Sequence, residues 1–265
     1  MWPLAQRGNR IEGDFIGTNA TGARALGNGE HGVRIEGSEN TVGGTEPAAR
    51  NLISGNDLRG LILFGAATGN RIEGNYVGTN AEGTAALGNG FNGVIIEGAT
   101  NNTIGGTAAG AGNVISGNAG IGVNIVGGAT GNKVEGNRIG PNAAGTADLG
   151  NGGHGVNIFS SRLNTIAGTT GAAGNLISGN EENGVFIFAD DNTVQGNAIS
   201  GSPPSRAPST ATPASPSPSS ASSPMGTTPT TGRARSSLRR PLPPPTPAGT
   251  RASRASRPPP HPGRR

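Results

Sequence analysis

A nine-residue phrase recurs four times, and its spacing limits what this chain can become. Residues 70–78 read N-R-I-E-G-N-Y-V-G; the phrase returns at 9–17 (N-R-I-E-G-D-F-I-G), at 132–140 (N-K-V-E-G-N-R-I-G) and, eroded, at 192–200 (N-T-V-Q-G-N-A-I-S). The starts at 9, 70, 132 and 192 lie 61, 62 and 60 residues apart. Self-similarity at a fixed period is the signature of stacked repeats, in which no unit buries its apolar face alone.

Each period holds a finer pattern. A Gly-aliphatic-x-aliphatic unit starts at Gly32, Gly60, Gly93, Gly122, Gly155 and Gly184, with spacings alternating 28, 33, 29, 33, 29. Two Asn-x-(Ile/Val) pieces follow each unit. These pieces are β-branched and too brief for helices, so they predict three short strands per turn. Side chains alternate faces along a strand. Stacked copies therefore align Ile11, Val42, Ile72, Ile104, Val134, Ile166 and Val194 in one column. Ile16, Ile53, Val77, Ile115, Ile139, Ile177 and Ile199 form a second, and pairs such as Val33/Ile35, Val94/Ile96 and Val156/Ile158 a third. Asparagines align as well: Asn9, Asn40, Asn70, Asn102, Asn132, Asn164 and Asn192 in one ladder, and Asn51, Asn75, Asn113, Asn137, Asn175 and Asn197 in another, led by Asp14. Asn tolerates sharp corners, and stacked amides can chain hydrogen bonds from turn to turn, so both ladders read as structural.

The expected fold is all-β: a right-handed parallel β-helix solenoid of about six and a half coils over residues 8–201, three short strands per coil. The motifs G-V-x-I, N-T-I-G-G, N-x-I-S-G-N and I-G-T-N-A-x-G-T-A-x-L-G-N-G resemble the parallel β-helix repeat proteins of the pectin-lyase-like class, as found in large bacterial secreted or cell-surface proteins. The resemblance implies an extracellular or cell-surface location. It identifies the fold and leaves the function open, since such repeats serve lyases, hydrolases, epimerases and adhesins.

Two loop types decorate the coils. The longer spans 18–29, 79–90 and 141–152; the shorter spans 45–50, 107–112 and 169–174. They should stack in surface rows, where solenoids often bind partners.

The composition breaks at Ser202. Residues 202–265 hold 17 of the 20 Pro and ten Arg with no acid, leaving a balance of −6 for residues 1–201 against +4 overall. This stretch should be disordered and partly polyproline II. It reads either as a basic arm for anionic polymers or as the product of an out-of-frame reading, the second being favoured. The abrupt start predicts a fragment of a longer protein, or self-association or further β-helix coils at uncapped ends. No signal peptide is expected from M-W-P-L-A-Q-R-G, no membrane span from runs this short, and no disulfide or thiolate site without Cys. No specific nucleic-acid partner is expected.

Chemistry is sparse. On this fold the resemblance implies that enzymes gather carboxylates on one outward face, for Ca2+ or for acid–base work. Glu12, Glu73 and Glu135 do stack, but Gly43, Gly105 and Ala167 intervene. At a strand spacing of about 4.8 Å the Glu residues stand about 9.6 Å apart, too far for a shared metal. Arg10, Arg71 and Lys133 lie two residues back on the same face, which predicts a solvated stripe of ion pairs. His31 and His154 are four coils apart and cannot share a metal. Glu181, Glu182, Asp190 and Asp191 form the densest acid group, a candidate for a weak Ca2+ or end-cap role; otherwise no metal or cofactor is expected. Thr41, Thr103 and Thr165 recur only every second coil, too sparse for an ice- or mineral-binding face.

One outward feature is less ordinary. Ile95, Val126, Phe159, Phe186 and Phe188 on the first strand, and Phe15, Leu52, Tyr76, Val114 and Leu176 on the third, are apolar where solvent-facing residues belong. Either loops fold over them or they meet a partner. Tyr76, Phe159, Phe186 and Phe188 are the candidate binding residues, with rings that could stack on sugars. The expectation is a non-enzymatic structural or adhesive scaffold contacting a polysaccharide or cell-surface glycan. The rival is a polysaccharide lyase or glycoside hydrolase using Glu73 and Glu135.

Overall fold

The computed structural model describes residues 7–201; the expected tail at 202–265 lies outside the described residues. Twenty short strands, β1 to β20 in chain order, form three parallel sheets. The first sheet holds β1 (Arg10–Ile11), β4 (Thr41–Gly43), β7 (Arg71–Glu73), β10 (Thr103–Gly105), β13 (Lys133–Glu135), β16 (Thr165–Ile166) and β19 (Thr193–Val194). The second holds β2 (Phe15–Ile16), β5 (Leu52–Ile53), β8 (Tyr76–Val77), β11 (Val114–Ile115), β14 (Arg138–Ile139), β17 (Leu176–Ser178) and β20 (Ala198–Ser200). The third, of six strands, holds β3 (Val33–Ile35), β6 (Leu61–Phe64), β9 (Val94–Glu97), β12 (Val123–Val126), β15 (Val156–Phe159) and β18 (Val185–Phe188). Every third strand is a hydrogen-bonded neighbour, which is the connectivity of a parallel β-helix. The count is six full coils and two strands of a seventh.

The register matches the sequence columns. Ile72 pairs with Val42 and Ile104, Val77 with Ile53 and Ile115, and Val123 with Val94 and Val156. Ile72, Ile104, Ile115, Ile125 and Ile139 are fully buried on the axis. A side chain taken wholly from water contributes roughly 1.5–3 kcal/mol, so the core is a sum of many equal parts with no single centre.

Both predicted Asn ladders form. In the first, Asn70 donates its backbone N–H (3.0 Å) and Nδ2 (2.8 Å) to Asn102 Oδ1, and its second amide proton goes to Gly37 O at 3.0 Å. The geometry repeats at each coil, so the buried amides are satisfied. A third ladder, unforeseen, runs Asn28–Asn56–Asn89–Asn118–Asn151–Asn180 at the remaining corner. Its members sit in I-S-G-N and L-G-N-G, alternately in a plain coil and after a long loop. That offset hides the column in the sequence.

The long loops are flat hairpins that cover the outer face of the second sheet. Each closes with an antiparallel bridge: Thr18 to Ala25, Thr79 to Ala86, Pro141 to Asp148. Inside each, Asn19, Asn80 or Asn142 turns its side-chain carbonyl onto backbone N–H groups four and five residues on. The hairpins join one another through Ala81 N–H to Gly22 O (3.3 Å) and Ala143 N–H to Gly83 O (2.9 Å). Gly22 lies so close to Leu52 that a Cβ there would stand 2.7 Å from Leu52 Cδ2; the φ of +65° independently favours glycine. Leu52 is buried in consequence, and Val114 is buried as well. The cover is partial: Tyr76 and Leu176 are half-buried and Phe15 is 45% exposed.

Candidate functional site

The acidic stripe is the candidate catalytic feature. Glu73 pairs in register with Gly43, and Glu135 with Gly105, so the two carboxylates stand two strands apart, about 9.6 Å by strand spacing. The expected ion pairs form in part. Arg10 bonds Glu12, and Arg71 bonds Glu73 at 2.7 Å. Lys133 and Glu135 make no ion pair. Nor is the whole stripe solvated: the Glu73 side chain is only 10% exposed, and a Cβ on Gly106 of the neighbouring short-loop coil would stand 3.9 Å from its Oε2. Arg71 is held above its usual pKa by that hydrogen bond, then by the Glu73 charge, with a smaller pull from Glu135 against the cost of burial. Glu73 is therefore committed to a guanidinium. Among the described residues, no three His, Cys, Asp or Glu side chains converge as a metal site.

Tyr76 is half-buried. The Arg50 guanidinium lies 4.2 Å from its ring centroid, and Gly83 of the second hairpin closes on its edge. The cation takes one face of the ring and the loop backbone its edge, so less of Tyr76 is left for a ligand. The other three aromatic candidates lie elsewhere and differ from it.

Phe159, Phe186 and Phe188 sit on the outer face of the third sheet and are 47%, 37% and 66% exposed, whereas Ile95 on the same face is buried. β15 and β18 pair Phe159 with Phe188 and Asn157 with Phe186. The Phe159 and Phe188 rings stack at 5.4 Å with planes 17° apart; His154 and Phe186 stack at 4.8 Å and 8°. Ring faces are thus spent along the solenoid axis, and edges plus the outermost faces of Phe186 and Phe188 meet solvent. Beside them the buried Asn157 donates Nδ2 to Asn124 Oδ1 at 2.7 Å, a short amide row. His154 Nδ1 stands 3.0 Å from Glu182 Oε2 and 3.3 Å from the Asn183 N–H. A protonated Nδ1 serves the carboxylate; an unprotonated one accepts from Asn183.

A cavity of about 570 Å³ adjoins this patch, lined by Ser160, Ser161, Arg162, Phe188 and Asp190 among others. Arg162 reaches the next coil to bond Asp191, with Nε to Oδ2 at 3.1 Å. The four acids Glu181, Glu182, Asp190 and Asp191 divide between two corners: Glu182 turns to His154 and Asp191 to Arg162.

The stacking of His154 on Phe186 was not foreseen from the sequence. Arg34 over Phe64 (4.7 Å) and Arg59 over Phe91 (5.7 Å) were equally unforeseen, being contacts between columns rather than within one.

No protein-family profile matches this chain, and no curated protein matches it. Among solved structures it is similar to the Azotobacter vinelandii mannuronan C-5 epimerase AlgE6 A-module, at 20% identity over 66% of this chain and 55% of that one, with a TM-score of 0.29. The chain spans 55% of the length of that structure. A likeness of this size transfers no activity.

Proposed function

We propose that this chain is a non-enzymatic β-helix module, a structural and adhesive scaffold of the extracellular or cell-surface kind that its repeats resemble, and that it contacts carbohydrate on the outer face of the third sheet. The observation that carries the reading is the exposed set Phe159, Phe186 and Phe188 beside the Asn124–Asn157 row. Sugars offer apolar C–H faces and a rim of hydroxyls; the exposed rings complement the first and the half-exposed Asn124 amide the second. The surrounding charge favours a neutral glycan. Glu181, Glu182, Asp190 and Asp191 flank the patch, and the nearby cation Arg162 is already bonded to Asp191. A polyuronate would meet like charge there.

The test uses immobilised neutral and acidic polysaccharides, with and without Ca2+, scoring retention and product release together. Retention on neutral glycans without products is the expected result. Unsaturated or shortened sugars that vanish on Glu73→Ala or Glu135→Ala would replace this reading with a carbohydrate-active enzyme.

A further inference from the structure

The Asn ladders leave few loose ends. Among the described residues, two side-chain polar atoms are buried without a hydrogen-bond partner, His31 Nδ1 and Arg59 Nε. They belong together. Val33 pairs with Leu61, and Gly32 donates its N–H to Arg59 O at 3.0 Å, so His31 and Arg59 hold the same position on neighbouring coils, just ahead of β3 and β6. Arg59 belongs to an interior coil, since β6 has a hydrogen-bonded strand on each side. Unsatisfied buried groups in a structure this well satisfied mark a place for a water or an ion.

The surrounding charge favours an ion, and gives its sign. Arg59 makes no ion pair among the described residues, and residues 1–6 and 202–265 contain no Asp or Glu that could supply one. Asn92 holds the equivalent position on the next coil, but its Oδ1 is turned to the Ile121 N–H at 2.9 Å. Arg34 is bonded to Glu36 at 2.7 Å. The Phe91 ring, with its centroid 5.7 Å from Arg59 Cζ, offers a π face and no hydrogen-bond acceptor. Burial and then Arg59 lower the His31 pKa below 6.5, with a smaller push from Arg34; Glu30 opposes them, and it is exposed and makes no ion pair among the described residues. A half-buried cation without a counter-charge is costly, and a second one forming beside it is costlier.

We propose that this corner binds an oxyanion, a carboxylate, sulfate or phosphate group seated between the two coils. The Arg59 guanidinium donates to it from Nε and one terminal nitrogen, the fork that fits two oxygens at once. The protonated His31 Nδ1 donates a third bond. Binding and protonation are then linked: the anion holds the proton on His31, and a falling pH tightens the anion. The site stands ahead of β3 and β6, whereas the aromatic patch lies on β15 and β18, so it does not rest on the glycan reading.

The full chain is titrated with sodium sulfate and, separately, sodium acetate, against sodium chloride at matched ionic strength, while the imidazole NMR signals are followed over pH. The expected result is a saturable rise in the His31 pKa with at least one oxyanion and none with chloride. Sulfate alone marks a tetrahedral group as the ligand, and acetate alone a planar one. Arg59→Met should abolish the rise. Glu30→Gln removes the neighbouring carboxylate and should strengthen it. Sulfate stabilises any fold by exclusion from its surface, so thermal unfolding is compared between wild type and Arg59→Met. The oxyanion should raise the wild-type melting temperature beyond its effect on the variant, and more so on the acid side of 6.5 than above it. A His31 titration that neither oxyanion moves would overturn the inference and leave the corner to water, as would a response that survives Arg59→Met.

Discussion

Asn70 holds Asn102 Oδ1 with two donors at once, its backbone N–H at 3.0 Å and its side-chain amide at 2.8 Å. Both residues are buried to within 1%. One oxygen thus satisfies two buried donors of the coil before it, and Asn102 in turn donates to Ala67 O and to Asn132. Replacing Asn102 with Ala orphans two donors and a carbonyl. At about 1–3 kcal/mol for each buried unsatisfied group, the loss should reach roughly 3 kcal/mol or more, read as a lower urea midpoint. Asn9→Ala, at an exposed position whose Oδ1 accepts nothing from the described chain, should cost under about 1 kcal/mol.

The aliphatic columns predict a gradient along the axis. Ile104→Ala removes a fully buried side chain and should cost about 2–5 kcal/mol in chemical denaturation. Ile199→Ala in the same fold, at 49% exposure, should cost a small fraction of that. Equal losses at the two sites would mean that Ile199 is covered in solution.

His31 makes stability pH-dependent in a stated direction. Its Nδ1 is buried without a partner among the described residues, and its pKa lies below 6.5, through burial first, then Arg59 and Arg34, with Glu30 opposing. A lowered folded pKa means the unfolded chain binds the proton more readily. The His31 contribution is therefore fully present above pH 6.5 and is lost as pH falls toward the folded value. His31→Gln should flatten the stability–pH curve on the acid side of 6.5, measured by thermal unfolding. A curve that stays parallel to wild type removes His31 from the account.

The aromatic candidates divide by geometry. Phe188→Ala should abolish retention on the glycan matrix with little change in unfolding midpoint, because its ring is two-thirds exposed. Tyr76→Leu should leave retention intact and lower stability by about 1 kcal/mol, through loss of the Arg50 contact. The opposite pattern would move the binding face to the second sheet.

Gly105 has φ of +89°, and a Cβ there would collide with Glu135 O and the Asn137 amide of the next coil. Gly105→Ala should destabilise by more than the roughly 1–2 kcal/mol of left-handed strain alone, seen as a lower melting temperature.

Much of the fold was legible because its physics is periodic. A column such as Ile72–Ile104–Val134 needs only alternation along a strand and a constant coil length, and both are written in the residues. The Glu73–Glu135 separation followed from the same arithmetic. Contacts that cross columns were not legible: Arg50 on Tyr76, His154 on Phe186, Gly22 against Leu52. These depend on how a loop lies and how a side chain tilts, which spacing does not encode.

The sequence alone therefore determined the repeat, the parallel three-sheet solenoid, the two Asn ladders and the identity of the inward columns, since each follows from side-chain alternation and a fixed period. Only the tertiary structure decided which outward apolar residues are free. The first hairpin folds down over the second sheet onto Leu52, while Phe15 on that sheet stays exposed; on the third sheet Ile62 and Ile95 are buried and Phe159 and Phe188 on the same face are exposed. Exposure is a property of what lies above a residue, and that neighbour is distant in sequence.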